Sequence, residues 1–168
     1  MPNWCDCELN VRGKTEDVHR LREAVKSDDE VLSANRIIPY PEKFRRLDEV
    51  ANQHEAEHPD DWQNRPKDGF NSGGYDWCIQ NWGTKWGFCH SETISEEECQ
   101  GETTLEYRFA SAWDPPIPLI KKLGEMFPML EIELRYFECG AAFNGLYSVK
   151  DGQVDINETG AYFGHRGG

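Results

Sequence analysis

Strict alternation opens the chain. From Trp4 to Val11, Cys5, Cys7, Leu9 and Val11 fall on one side and Trp4, Asp6, Glu8 and Asn10 on the other, the two-residue period of a strand with one covered and one wet face. Gly13 ends it, and Thr15 reads as a helix cap with Glu16 and Asp17 in the first turn. Val18, Leu21 and Val25 then form one apolar stripe to about Lys26. Asn35 to Pro41 predicts a short extended piece fixed by Pro39 and Pro41, followed by a helix from Glu42 to His54 built on Phe44, Leu47 and Val50. From His58 to Tyr75 the composition turns to Pro, Asp, Asn and Gly, with Trp62 and Phe70 as apolar anchors, the pattern of a long surface loop. Residues 33–76 thus read as an insertion into a simpler core.

Alternation returns further on. Phe88 to His90 continues a strand, and Glu92, Glu96, Glu97, Glu98 and Glu102 read as an exposed acidic turn whose charges are solubilising. Leu105, Tyr107 and Phe109 point inward along the next strand, from Thr103 to Ser111. Asp114 reads as a helix cap and Pro115 as the first helical residue, with Ile117, Ile120, Leu123 and Phe127 as the packing stripe and Pro128 as the stop. Leu130, Ile132, Leu134 and Tyr136 oppose Glu131, Glu133 and Arg135 in a strand with one wet face. Gly140 turns the chain into a hairpin partner, Phe143 to Val149, and Lys150-Asp151-Gly152 turns again before Val154 and Ile156. The order predicts an α+β ferredoxin-like βαββαβ sandwich: an antiparallel sheet with helices on one face, a helical and loop insertion, and an extra C-terminal strand. It occupies a single domain over residues 1–160, and the glycine-rich tail, residues 161–168, is expected to be flexible.

Composition narrows the function classes. The chain has 168 residues, enough for a core without staples. Its 18 basic against 31 acidic side chains leave a net charge of −13, which opposes nonspecific binding to nucleic-acid phosphates and to anionic membranes. No apolar run approaches the ~20 residues that cross a bilayer, and Met1-Pro2-Asn3-Trp4 lacks a basic segment followed by an apolar one, so a cytoplasmic location is expected. The cysteines at 5, 7, 78, 89, 99 and 139 form no compact framework and read as reduced thiols, Cys5 and Cys7 as small hydrophobes on the covered face. His54 and His58 lack the His-Glu-x-x-His order and a further ligand pair, so no metal is expected, and no cofactor signature is present.

The candidate chemistry centres on Asn81-Trp82-Gly83-Thr84-Lys85-Trp86-Gly87. Extended, the motif places Trp82, Thr84 and Trp86 on one face; coiled by one turn, it still aligns Trp82 with Trp86. Trp82, Trp86 and Trp113 offer planar apolar surfaces, and Asn81, Thr84, Lys85 and Asn144 polar groups that orient a ligand. Tyr136 and Glu138 complete the candidate set. A core-filling strand explains the tryptophans equally. For catalysis the candidates are Glu138, on a mostly apolar face where a raised carboxyl is expected, and His90 beside the motif. Pairing of Glu138 with Lys85 explains that carboxylate without catalysis, and no nucleophile triad or phosphate-cradling loop accompanies it.

Four ordered motifs carry a family resemblance: Met1-Pro2-Asn3-Trp4-Cys5; Asn81-Trp82-Gly83-Thr84-Lys85-Trp86; Ala112-Trp113-Asp114-Pro115-Pro116; and Tyr136-Phe137-Glu138-Cys139-Gly140 with Phe143-Asn144-Gly145. Over residues 1–150 the chain resembles the YubB-like proteins, ferredoxin-like proteins of bacterial plasmids and phages with a domain of unknown function. The resemblance implies the fold, a mobile-element origin and the cytoplasm of a bacterial host cell, and it supplies no activity and no catalytic residues. The expected function is non-enzymatic: sequestration of a small nucleotide-like ligand that counters host defence. The alternatives are an acidic inhibitor masking a host protein and an enzyme using Glu138 or His90. A homodimer through a sheet edge or open face is compatible with the fold.

Overall fold

A computed structural model describes residues 2–162 of the chain. The elements in order are β1 (Trp4–Lys14), α1 (Thr15–Val25), α2 (Ala34–Ile37), α3 (Glu42–Glu57), a widened helical turn (Phe70–Gly74), α4 (Tyr75–Trp82), β2 (Cys89–Cys99), β3 (Glu102–Ala112), α5 (Ile117–Met126), β4 (Glu131–Glu138), β5 (Phe143–Lys150) and β6 (Gln153–Ala161). The strands form one sheet in the order β2-β3-β1-β4-β5-β6, antiparallel at every step. The first four, with α1 and α5, are the ferredoxin-like βαββαβ unit. Two strands extend it, β5 and β6, where the sequence predicts one; the Asp151-Gly152 turn, with φ of 52° and 70°, folds β6 back on β5. Among the described residues no helix is long and apolar enough to cross a membrane.

The alternation in β1 sets the layers. Cys5, Cys7, Leu9 and Val11 are fully buried against α1 and α5, which contribute Val18, Leu21, Val25 and Leu119, Ile120, Leu123. The opposite face is open and laced with ion pairs such as Arg108–Glu8 at 3.5 Å and Arg135–Glu133 at 2.8 Å.

Several sequence expectations change. The acidic run is β2, a full edge strand rather than a turn; the turn itself is only Gln100-Gly101, with φ of 53° and 82°. Glu96 does more than solubilise: its oxygens accept from Arg22 at 2.8 and 2.7 Å and meet His19 at 3.0 Å, tying β2 to α1. Residues 34–37 coil instead of extending, and Asn35 closes the turn by accepting the Tyr40 amide at 2.7 Å. In α3 the inward residues are Phe44 and Ala51, while Leu47 and Val50 are exposed. Asp48 lies on the inward side and accepts the amides of Gly69 and Phe70 at 2.8 and 3.2 Å, so the helix packs on that segment through a polar clamp. The loop predicted to reach Tyr75 stops at Gly69, because Tyr75, Cys78 and Trp82 follow a helical period. Thr15 donates no cap; its hydroxyl accepts from Thr103 at 3.0 Å. Asp114 caps nothing either, since α5 begins only at Ile117 behind Pro116. The expected flexible tail begins within structure, Ala161 closing β6 and the Tyr162 amide donating to Ala142 at 2.7 Å; residues 163–168 lie outside the described residues.

Gly124 permits the contact of α5 with β5: a Cβ there would stand 2.2 Å from Val149 Cγ1, and Val149 is buried. Gly124→Ala is therefore expected to destabilise the protein by about 1–3 kcal/mol through overpacking, although alanine is the better helix former. Urea unfolding measures this, and a variant as stable as the native protein would contradict the close approach.

Candidate functional site

The sheet register gathers the sequence motifs at one end. Trp4 pairs with Ala112, Cys5 with Glu138, Glu138 with Phe143, and Phe143 with Ala161. The start of β2 arrives there too, Cys89 opposite Ala110. The segment from Gly83 to Phe88 joins α4 to this end. Gly83, with φ of 78°, stops α4 in the left-handed region, and its missing side chain admits Pro118, whose Cδ would be 2.5 Å from a Cβ.

This turn separates the two indoles of the tryptophan motif. Trp82 stays in the core, 5% exposed, with its Nε1–H donating to Ile38 O at 2.8 Å and its ring against Trp77 and Tyr40. Thr84 is also buried: its hydroxyl accepts from the Ala112 amide and donates to the Ala112 carbonyl, both at 3.0 Å. That double bond fastens the loop to the end of β3. Asn81 donates back to Trp77 O at 2.8 Å within α4. Trp82 and Thr84 thus belong to the scaffold, while Asn81 is half-buried and bonds within its own helix.

Trp86 emerges from the loop. Its ring lies 6.2 Å from Trp4 and 6.2 Å from Tyr75, and Trp4 continues to His90 at 6.1 Å. Lys85 Nζ stands 4.3 Å from the Tyr75 centroid and 5.2 Å from that of Trp86, a cation held over two aromatic faces. Trp113 is 46% exposed and adjoins this group through its amide, which donates to Asn3 O at 2.9 Å. Two bulky residues here carry positive φ, His90 at 53° and Trp113 at 73°. The other positive-φ non-glycines among the described residues, Gln100, Ala142 and Asp151, sit at strand connections that call for it. Strain of this kind, about 1–3 kcal/mol per residue, concentrates at functional surfaces. The sequence shows Lys85 and Trp86 as candidates, gives Trp4 only as an outward residue of the first strand, and hides Tyr75 in an apparent loop; its helical spacing to Cys78 is the signal that finds it.

The remaining candidates separate by face. Glu138 is 1% exposed on the helix side, where its carboxylate accepts the Gly140 amide at 2.8 Å and that of Ala141, closing the turn after β4. Backbone amides hold it, not Lys85. Tyr136 is buried beneath Gly145, its hydroxyl bonding Thr159 and donating to Glu158 O at 3.2 Å, so it ties β4 to β6; burial raises its phenol. Asn144 lies on the open face with Arg135, Phe137, Leu146 and Glu158 around a groove of about 400 Å³. His90 and Glu138 stand on β2 and β4, three strand spacings or about 14 Å apart, and on opposite faces, so they form no acid–base pair. Among the described residues no group of three or more His, Cys, Asp or Glu is placed to hold a metal ion, and all six cysteines are free. Burial pushes the Cys7 thiol up, as suits a core residue.

Asp114, in the loop before α5, is raised from its ordinary 3.8 by burial and then by the Glu138 charge. A raised carboxyl disfavours the charged form in the fold, so its contribution is fully present below the unfolded value and is lost as pH rises through the folded one. Because Asp114 is exposed and solvent screens its charge, Asp114→Asn is expected to raise Tm at pH 7 only slightly, with the difference closing below pH 3.8. Thermal unfolding across pH checks this; a variant of lower Tm at pH 7 would contradict it.

Comparison with known proteins bears on the fold and on this end of the sheet. The crystal structure of a protein api92 from Yersinia pseudotuberculosis superposes with a TM-score of 0.58 at 11% identity, covering 98% of this chain and 99% of that one, a likeness of fold. No curated protein matches the chain. Residues 81–160, from the tryptophan motif through β6, match the family described as the ferredoxin-like domain in Api92-like protein. Over residues 81–160 the chain is thus similar to that ferredoxin-like domain, a stretch that includes Lys85, Trp86 and His90 but not Trp4 or Tyr75.

Proposed function

We propose that the protein is a non-enzymatic binding module that sequesters a small nucleotide-like ligand at the aromatic end of its sheet. The observation that carries this reading is the meeting of Trp4 from β1, Tyr75 from α4, and Trp86 and His90 from the stretch leading into and beginning β2, with the Lys85 ammonium over the Tyr75 and Trp86 rings. Each base stacked on an aromatic ring contributes about 1–3 kcal/mol, and a phosphate on Lys85 adds a charge-assisted hydrogen bond. The net charge of −13 disfavours long polyanions, so a small ligand suits the surface better than a nucleic acid. The motifs shared with YubB-like proteins support a phage or plasmid origin, a bacterial cytoplasmic setting and a role against host defence. A host protein is the second reading, favoured by the exposure of Trp4 and Trp113, since exposed tryptophans anchor protein interfaces. A second copy of the chain is a further partner.

A thermal-shift screen against cyclic and linear nucleotides tests the first reading. One ligand is expected to raise Tm in the native protein and to be recovered unchanged. Lys85→Ala should weaken it about tenfold or more, and Trp86→Ala should remove the shift while the unliganded fold persists. If no nucleotide shifts the native protein, or if both variants bind as it does, nucleotide sequestration is rejected.

A further inference from the structure

A second cavity, remote from the tryptophan motif, has its own chemistry. It measures about 440 Å³ and lies between the end of α1, the loop after it, and the middle of β2 and β3. Tyr107 lines it. That residue is fully buried, yet among the described residues its hydroxyl has no hydrogen-bond partner. Burial, offset by Arg22 and reinforced by Glu96 and Glu23, pushes the phenol up to about 12, so it stays a neutral hydroxyl with lone pairs to offer. A buried hydroxyl left unpaired is destabilising, which makes it a group awaiting a partner.

The charges around the cavity select the partner's sign. Its two cations are already engaged, Arg22 by Glu96 at 2.7 Å and Lys26 by Glu23. Asp28, Asp29 and Glu30 line the same cavity and, among the described residues, make no ion pair. The C-terminal end of α1 adds negative potential. The acids are spread along a loop, and no set of three or more converges on a point as a metal ion requires. Val31, 40% exposed, supplies an apolar wall.

We infer that this cavity is a binding site for a small linear polyamine, with ammonium groups on Asp28, Asp29 and Glu30, methylenes against Val31, and one N–H donated to the Tyr107 hydroxyl. The site is independent of the aromatic end and takes ligand of opposite charge.

Calorimetric titration of spermidine into the full chain, at fixed ionic strength, tests it. One spermidine per chain is expected. The double variant Asp28→Asn with Asp29→Asn, on an exposed loop, should weaken binding about tenfold or more. Tyr107→Phe should weaken it about fivefold while leaving the ligand-free Tm equal to or above the native value, a combination that a purely structural tyrosine would not give. The inference is overturned if spermidine releases no heat, if Mg²⁺ at matched ionic strength binds equally well, if the double variant binds as the native chain does, or if a lysine-rich peptide binds where spermidine does not.

Discussion

The central strand governs the molecule. β1 is hydrogen-bonded on both sides, to β3 along its whole length and to β4 from Cys5 to Arg12. Its side chains alternate between a fully buried row and a wet one, so a slip of one residue would drive Asp6 and Glu8 into the core and expose Leu9 and Val11. The register is therefore fixed by a penalty that no local rearrangement relieves. That same register decides which chain segments meet at the end where Trp4, Ala112 and Glu138 lie. The candidate surface is a consequence of core packing before it is anything else.

Polar groups finish what the register begins. Thr84 binds both backbone groups of Ala112, Trp82 anchors on Ile38, and Glu138 closes the β4–β5 turn with two amides. Each group is buried and satisfied, which makes its removal costly and its geometry definite. The strain at His90 and Trp113 persists because this frame over-determines their backbone. Trp4, Tyr75 and Trp86 are consequently carried on backbone that this frame fixes, so a ligand of the kind proposed would not have to order a loop there.

Where burial is one-sided the sequence is legible. β1, β3 and β4 declare themselves by alternation, and the two helices that cover them by their stripes. β2 does not, because an edge strand exposed on both faces needs no apolar row, and its glutamates hide it. α4 is masked by the glycines of Phe70–Gly74, which suggest a loop, although Gly73, with φ of 113°, merely kinks the chain between helical turns. At the site, Lys85 and Trp86 are visible as a motif, whereas the fate of Trp82 is not: only the left-handed turn at Gly83 sends one indole inward and the other out. Residue spacing alone does not encode that turn.

The division of the tryptophan motif into a buried anchor and a surface ring is the claim on which the account rests. Amide and indole N–H spectra of the 15N-labelled protein, whose six tryptophans give one indole signal each, test it directly during nucleotide titration. The account predicts that the indole signals of Trp4 and Trp86 move together while that of Trp82, bonded to Ile38, stays fixed and exchanges slowly with solvent. Rapid exchange at Trp82, or movement of its signal while those of Trp4 and Trp86 stand still, would contradict it.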